Sequence, residues 1–297
     1  MILVTGSHGQ LGYEIRRAVG SLAAVAAVDV PEVKLDDPAA IRDLIRSRRP
    51  RVLINTAAYT AVDAAEDDPQ LARAVNAVAP AVMAEELKKI GGALVHYSTD
   101  YVFDGSKAGP YTEDDLPGPL GVYGATKLAG DEAVRASGVP HLIFRTSWVY
   151  GSRGKNFVRT ILDLARAGRS LRIVDDQLGA PTWSRMLAES TALVLGMTGA
   201  VRRPDALRER GGLYNLTSAG ATSWHGFAAA ILALAPPALL AAGGAIAPVT
   251  TAEYPTKARR PASSQLDCGK IRRAFDLVTP DWQDSLGLVM EEIFPPG

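Results

Sequence analysis

The segment Tyr123-Gly124-Ala125-Thr126-Lys127 sets a phenol four residues ahead of an ammonium, a spacing that places both on one face of a helix. A free phenol titrates near about 10. A neighbouring ammonium favours the phenolate and lowers that value, so the expectation is a tyrosine able to give or take a proton near neutral pH. Upstream, an apolar run ends in His96-Tyr97-Ser98-Thr99-Asp100-Tyr101. It reads as a strand whose carboxyl end presents hydroxyls, where an open α/β sheet presents ligand-binding groups. Ser98 or Thr99 would offer a hydroxyl to the substrate oxygen beside Tyr123. Y-x-x-x-K alone arises by chance in many helices, so its weight depends on what else the chain carries.

The second motif is Thr5-Gly6-Ser7-His8-Gly9-Gln10-Leu11-Gly12, between an apolar run and a helical stretch carrying Ile15 and Val19. Gly6 can take the tight turn, Gly9 lets the backbone approach a pyrophosphate, and Gly12 permits close packing of helix on strand. The helix start then offers free N–H groups and a positive dipole to phosphate. Asp29 ends the second apolar run, seventeen residues past Gly12. That is near where a dinucleotide fold sets an acid on the adenosine ribose. Arg16, Arg17 and Lys34 are cations near enough to meet an additional phosphate, and a mobile loop after Asp29 would let the acid move aside. These two effects oppose each other, so the residues alone do not choose between NADH and NADPH. The small residues of Asn55-Thr56-Ala57-Ala58-Tyr59-Thr60 would let the cofactor lie flat across the sheet. Both motifs together imply hydride transfer between a nicotinamide ring and a carbonyl or alcohol. Tyr123 would be the acid/base, and Lys127 would lower its pKa and bind the nicotinamide ribose.

These residues need elements to hold them. Apolar runs at 2–4, 24–28, 52–55, 93–97 and 141–146 alternate with helical stretches near 10–19, 38–48, 69–90 and 124–136. Such alternation predicts an α/β fold: a Rossmann-type doubly wound parallel sheet with helices on both faces. After Tyr150 the pattern loosens. Helices are expected at 156–168, 183–195 and 223–235, with short strands at 171–174, 213–216 and 248–251. We read residues 1–150 as the dinucleotide-binding domain and 151–297 as mainly a smaller substrate-binding lobe, partly interleaved with the first. The 297 residues carry 32 basic and 32 acidic side chains, which argues against a coat for nucleic acid or anionic membrane. One cysteine, Cys268, excludes an internal disulfide and a cysteine-cluster metal site. No basic leader precedes the first strand, and Pro236, Pro237, Gly243 and Gly244 break the most apolar run, 227–248. A cytoplasmic location is the expectation.

Several longer segments carry a resemblance: GSHGQLG (6–12), NTAAYTAVDAAE (55–66), HYSTDYVFDG (96–105), YGATKLAGDE (123–132), FRTSWVYG (144–151), NFVRTIL (156–162), DDQLGAPT (175–182) and YPTKARRPASSQLD (254–267). On these the chain is similar to the extended short-chain dehydrogenase/reductase superfamily. More narrowly, it resembles the dTDP-4-dehydrorhamnose reductase family over essentially its whole length. The resemblance implies NADPH- or NADH-dependent reduction of the C4 ketone of a thymidine-diphospho-6-deoxy-L-hexulose to the L-rhamnose nucleotide. It sets Thr99, Tyr123 and Lys127 on the catalytic trio, and Ser98, Thr99 and Trp148 on sugar-contacting positions. It sets Gln10, Leu11, Asp29, Ala57, Ala58 and Tyr59 on cofactor-contacting positions, Tyr59 through its backbone. Lys34-Leu35 replaces an acidic-apolar pair found near the adenine in some members. Lys257, Arg259 and Arg260 cluster in a proline-punctuated loop, and an arginine fork such as Arg260 suits diphosphate oxygens. Asn156 would either cap the helix after it or touch the diphosphate, and Trp148 would be either core or a sugar platform. The resemblance also implies that Glu14, Glu189 and Glu292 can surround a divalent ion such as Mg2+ at a homodimer contact, although their spacing gives no independent support. A related reductase making another 6-deoxyhexose, or a non-catalytic subunit on the same fold, are the competing readings. The second would be expected to lack Tyr123 or Lys127.

Overall fold

A computed structural model describes residues 1–240 and 243–295. Six parallel strands form the central sheet: β1 (Ile2–Thr5), β2 (Val25–Val28), β3 (Val52–Asn55), β4 (Ala93–Thr99), β5 (His141–Thr146) and β6 (Gly212–Asn215), in the order β6-β5-β4-β3-β1-β2. The chain thus reverses direction across the sheet between β1 and β3, which opens a crevice at their carboxyl ends. The sixth strand comes from the second half of the chain, so that half completes the central sheet.

Side chains alternate across the sheet as the period of two requires. Ile2, Val4, Ile54, Val95 and Phe144 join one core cluster, and Leu3, Leu53, Leu94 and Ile143 join the other. The first face is covered by α1 (Gln10–Ala18) and by helices from the second half. The second is covered by α2 (Pro38–Arg48), α3 (Ala79–Ile90) and α4 (Val122–Ser137). α2 begins where Asp37 accepts hydrogen bonds from the Ala39 and Ala40 amides, ahead of a first-turn proline. Past residue 150 come α5 (Phe157–Arg166), α6 (Ser184–Thr198), α7 (Trp224–Leu234) and α8 (Trp282–Ile293), with a two-stranded parallel ribbon of Leu171–Val174 and Ile246–Val249.

The stretch expected as one helix over 69–90 is three pieces. Pro69–Arg73 is α-helical, Ala74–Val78 forms a π turn, and α3 follows. The widened turn carries Asn76, whose side chain leaves the helix to bind the loop after β3. Among the described residues no helix is long and apolar enough to cross a membrane. Within the apolar run at 227–248, residues 241 and 242 lie outside the described residues.

Candidate active site

The glycine turn leaves β1 with Gly6 at φ +71°, a left-handed conformation that favours glycine. A Cβ at Gly12 would overlap the Gly6 carbonyl, so α1 can start against the turn only without a side chain there. Gly9 is the N-cap, and no side chain caps α1, which leaves its first-turn amides open to an anion. Asp29, at the end of β2, accepts a 2.7 Å hydrogen bond from the His8 amide and a 2.8 Å one from the Val30 amide. The acid therefore anchors the glycine turn, and the expected ease of moving it aside is not supported by its contacts.

The cavity at the carboxyl ends of the strands has a volume of about 800 Å³. Gly6, Gly9, Gln10, Leu11, Asp29, Ala57, Ala58 and Tyr59 line it, and so do Ser98, Tyr123 and Lys127. Gly12 and Thr99 do not line it, while the other cofactor-side candidates and the acid/base pair are brought to one site. Lys34 and Leu35 also line it, which sets a cation on the Asp29 side. Arg16 and Arg17 do not; Arg17 binds Glu14. Gly154, Lys155, Thr146 and Val149 close another wall. Lys155 was missed from sequence, although a cation beside a glycine in a loop after β5 was a readable signal. Tyr59 is held by its backbone: its N–H donates to Asn76 Oδ1 and its carbonyl accepts from Asn76 Nδ2. A cofactor contact through those atoms would have to be shared with Asn76.

α4 is brought to β4 by a close approach. A Cβ at Gly124 would overlap the Tyr101 carbonyl, so the glycine inside the Y-x-x-x-K segment lets Tyr123 sit beside Thr99. The Tyr101 and Tyr123 rings meet edge to face at 5.8 Å. Glu66 accepts from the Val122 amide and fixes the helix start. Lys127, 2% exposed, donates to the Tyr97 carbonyl at 2.6 Å and stands 3.3 Å from His96 Nε2. Ser98 donates to Asp131 at 2.7 Å, and Arg145 reaches the same carboxylate oxygen at 3.3 Å.

The electrostatics differ from the sequence expectation. Burial pushes the Tyr123 phenol up to about 12; the Thr99 hydroxyl pulls it down in part, and Asp100 and Asp131 push it further up. Burial pushes Lys127 down to about 8, against the pull of Asp131. The phenol thus stands above its ordinary value, not below it as the spacing suggested, and the Lys127 nitrogen is turned to the Tyr97 carbonyl. Thr99 binds Asp100 at 3.0 Å and accepts from the Tyr101 amide.

The remaining candidates divide. Asn156 is the N-cap of α5, accepting from the Arg159 amide, while its Nδ2 donates to Gln10 at 3.0 Å and to the Gly151 carbonyl. Of the two roles left open for it, capping is the one its contacts fill. Trp148 adopts φ +47° and stacks on Trp224 at 3.6 Å; it is partly exposed and does not line the main cavity. Arg260 lies outside that cavity and forms a two-pronged pair with Asp63, at 2.7 and 3.2 Å, which holds the Asp63 carboxyl below its ordinary range. Lys257 pairs with Asp67. Glu14 and Glu292 both bind Arg185, and Glu189 on α6 adds to the field on that guanidinium. A cation of the protein thus sits where the resemblance allowed a divalent ion. Among the described residues no cluster of His, Cys, Asp and Glu could hold a metal, so Mg2+ gains no support.

A parallel sheet with a glycine-rich turn at its first strand, and a tyrosine and lysine one helical turn apart at its fourth, defines a nicotinamide-dependent oxidoreductase of the short-chain dehydrogenase/reductase type. The chain belongs to the RmlD substrate binding domain family, whose model matches residues 1–294. It is 45% identical to a dTDP-4-dehydrorhamnose reductase of Burkholderia thailandensis, over 98% of each chain. Among solved structures it is similar to a dTDP-4-dehydrorhamnose reductase of Clostridium acetobutylicum, with TM-score 0.88, 34% identity and 98% and 99% of the two chains covered. It is also similar to the Bacillus anthracis dTDP-4-dehydrorhamnose reductase in complex with NADP, with TM-score 0.87, 30% identity and 98% of each chain covered.

Proposed function

We propose that the protein reduces the C4 ketone of dTDP-4-dehydro-L-rhamnose to dTDP-L-rhamnose with NADPH or NADH. The observation that carries this reading is that Tyr123 and Lys127 line the same cavity as the glycine turn and Asp29. The residues fit the cofactor: the first-turn amides of α1 suit its pyrophosphate, Asp29 suits its adenosine ribose, and Lys34 and Lys155 suit further phosphate charge. When bound, the cofactor supplies a hydride to the carbonyl carbon. Tyr123 then gives its proton to the carbonyl oxygen, and Thr99 helps hold that oxygen. A phenol kept protonated by burial suits this direction, because the proton must be present at the start. Lys127 positions the nicotinamide ribose, and Ser98, which lines the cavity, donates to the buried Asp131. Trp148 and Arg260 would meet the sugar and the diphosphate from the second half of the chain. The nucleotide substrate and the single cysteine, Cys268, fit a reducing, cytoplasmic setting.

The test is consumption of NADPH or NADH on addition of the dTDP-4-keto sugar, followed in wild type and in Tyr123→Phe. The variant should lose on the order of 10²–10⁴-fold in turnover, the usual share of a general acid, with cofactor affinity nearly unchanged. Near-normal turnover in the variant would reject Tyr123 as the acid.

A further inference from the structure

Ser98 stands near the carboxyl end of β4, in register with Arg145 of β5, and α4 brings Asp131 against both. Ser98, Arg145 and Asp131 are buried, at 5%, 2% and 1% exposure. The Ser98 hydroxyl donates to Asp131 Oδ2 at 2.7 Å, and Arg145 Nε donates to the same oxygen at 3.3 Å. Chemistry fixes the direction of the first bond. A guanidinium has only donors and keeps its proton, so Oδ2 already accepts from Arg145 and must accept from Ser98 as well. A proton on Oδ2 would set donor against donor, and Oδ1, buried without a hydrogen-bond partner, would offer a proton nothing to bind. Burial raises the Asp131 carboxyl, and Arg145, Lys127 and Ser98 pull against that. A neutral acid there would also leave two buried cations, Arg145 and Lys127, without a counter-charge.

A hydroxyl carries one proton. With that proton given to Asp131, Ser98 has only lone pairs left for the cavity it lines. We propose that Asp131, anchored by Arg145, is a positioning residue that makes Ser98 an acceptor toward the substrate, so that Ser98 reads a hydroxyl of the sugar and not the ketone oxygen. A ketone oxygen is itself an acceptor, and Tyr123 supplies its proton. The sheet order sets the place. Ser98 on β4 and Arg145 on β5 lie across β3 from β1, β2 and the acid at the end of β2. The adenosine and pyrophosphate of the cofactor belong over β1 and β2, which leaves the side of β4 and β5 for the reacting ends. Beside the C4 ketone the proposed sugar has a hydroxyl at C3 and a methyl-bearing carbon at C5. The C3 hydroxyl is therefore the donor that Ser98 accepts from. This inference rests on the sugar proposed above.

The test is calorimetric binding of dTDP-L-rhamnose and of its 3-deoxy analogue to the protein loaded with NADPH, a pairing in which neither ligand can be reduced further. Wild type should bind the parent about three- to tenfold more tightly than the analogue, the worth of one neutral hydrogen bond. Ser98→Ala should lose that preference while binding the analogue as wild type does. Asp131→Asn keeps an oxygen for Ser98 to donate to and should keep the preference. Asp131→Ala frees the Ser98 proton and should lose it. A wild type without the preference would overturn the proposal, and so would a preference that survives in Ser98→Ala or in a folded Asp131→Ala. A Ser98→Ala loss that falls equally on both sugars, or on NADPH itself, would overturn it too. If Asp131→Ala does not fold, Ser98→Ala decides. Failure of wild type to bind either sugar would overturn the substrate reading itself, a result distinct from all of these.

Discussion

Tyr123 and Lys127 show what a spacing can and cannot reveal. The interval of four put them on one helix face, and they do line one cavity. The sign of the phenol's shift was not readable, because it comes from burial and from Asp100 and Asp131, which only the fold brings near. Arg260 is a similar case. Its residue type suggested a phosphate contact, but Asp63, almost two hundred positions away in the chain, occupies its fork. If Arg260 also meets the diphosphate, Arg260→Ala removes a charged hydrogen bond of about 1.5–3 kcal/mol. The Michaelis constant for the sugar nucleotide should then rise by about tenfold or more, with cofactor affinity unchanged; an equal loss for both would assign the arginine to holding the Asp63 loop. Asp29 combines two tasks, a ribose contact and an anchor for the His8 and Val30 amides. Asp29→Ala should weaken both cofactors by loosening the glycine turn. It should weaken NADH more, since the repulsion that NADPH alone meets is relieved. The ratio of turnover efficiencies with the two cofactors checks this, and a ratio that stays fixed or moves toward NADH would separate Asp29 from the ribose.

The elements were the most legible level. β3, β5 and α2 have the bounds that the hydrophobic alternation and the Asp37-Pro38 start indicated. The π turn at Ala74–Val78 was not legible, since its apolar spacing continues that of the flanking helices. What demands it is tertiary: Asn76 must reach the Tyr59 backbone and the Thr126 hydroxyl. The contact of α2 with α3 carries a testable charge. Glu86 of α3, 1% exposed, binds Arg46 of α2 with both oxygens and also Lys89, which holds its carboxyl down at about 2. The folded pKa lies below the ordinary 4.5, so the unfolded chain takes up the proton first as pH falls. The stabilisation is therefore full above pH 4.5 and is lost as pH falls toward 2. Glu86→Gln should lower the unfolding free energy by about 1.5–3 kcal/mol at pH 7, the worth of a hydrogen bond to a charged group. Urea unfolding of both proteins across pH 7 to 3 should show the difference shrinking as the acid limb is entered. A difference that does not change with pH would assign the loss to packing instead.

For the whole molecule, the parallel sheet and its cavity followed from the alternation of strands and helices and from two short motifs. The contribution of the second half was only partly read: a strand at 213–216 was expected and is β6, but its place beside β5 in the central sheet, and the stack of Trp148 on Trp224, come from long-range pairing that no local pattern marks. The glycine turn, Asp29, Ser98, Tyr123 and Lys127 meet in one cavity of about 800 Å³. That meeting is the central claim. Its most direct test is NMR identification of the product formed when the purified protein, NADPH and the dTDP-4-keto-6-deoxy-L-sugar are incubated together. The account predicts one product, dTDP-L-rhamnose, with the new hydrogen at C4 and one NADPH consumed per sugar. A C4 epimer of that product, or a sugar recovered unreduced, would contradict it.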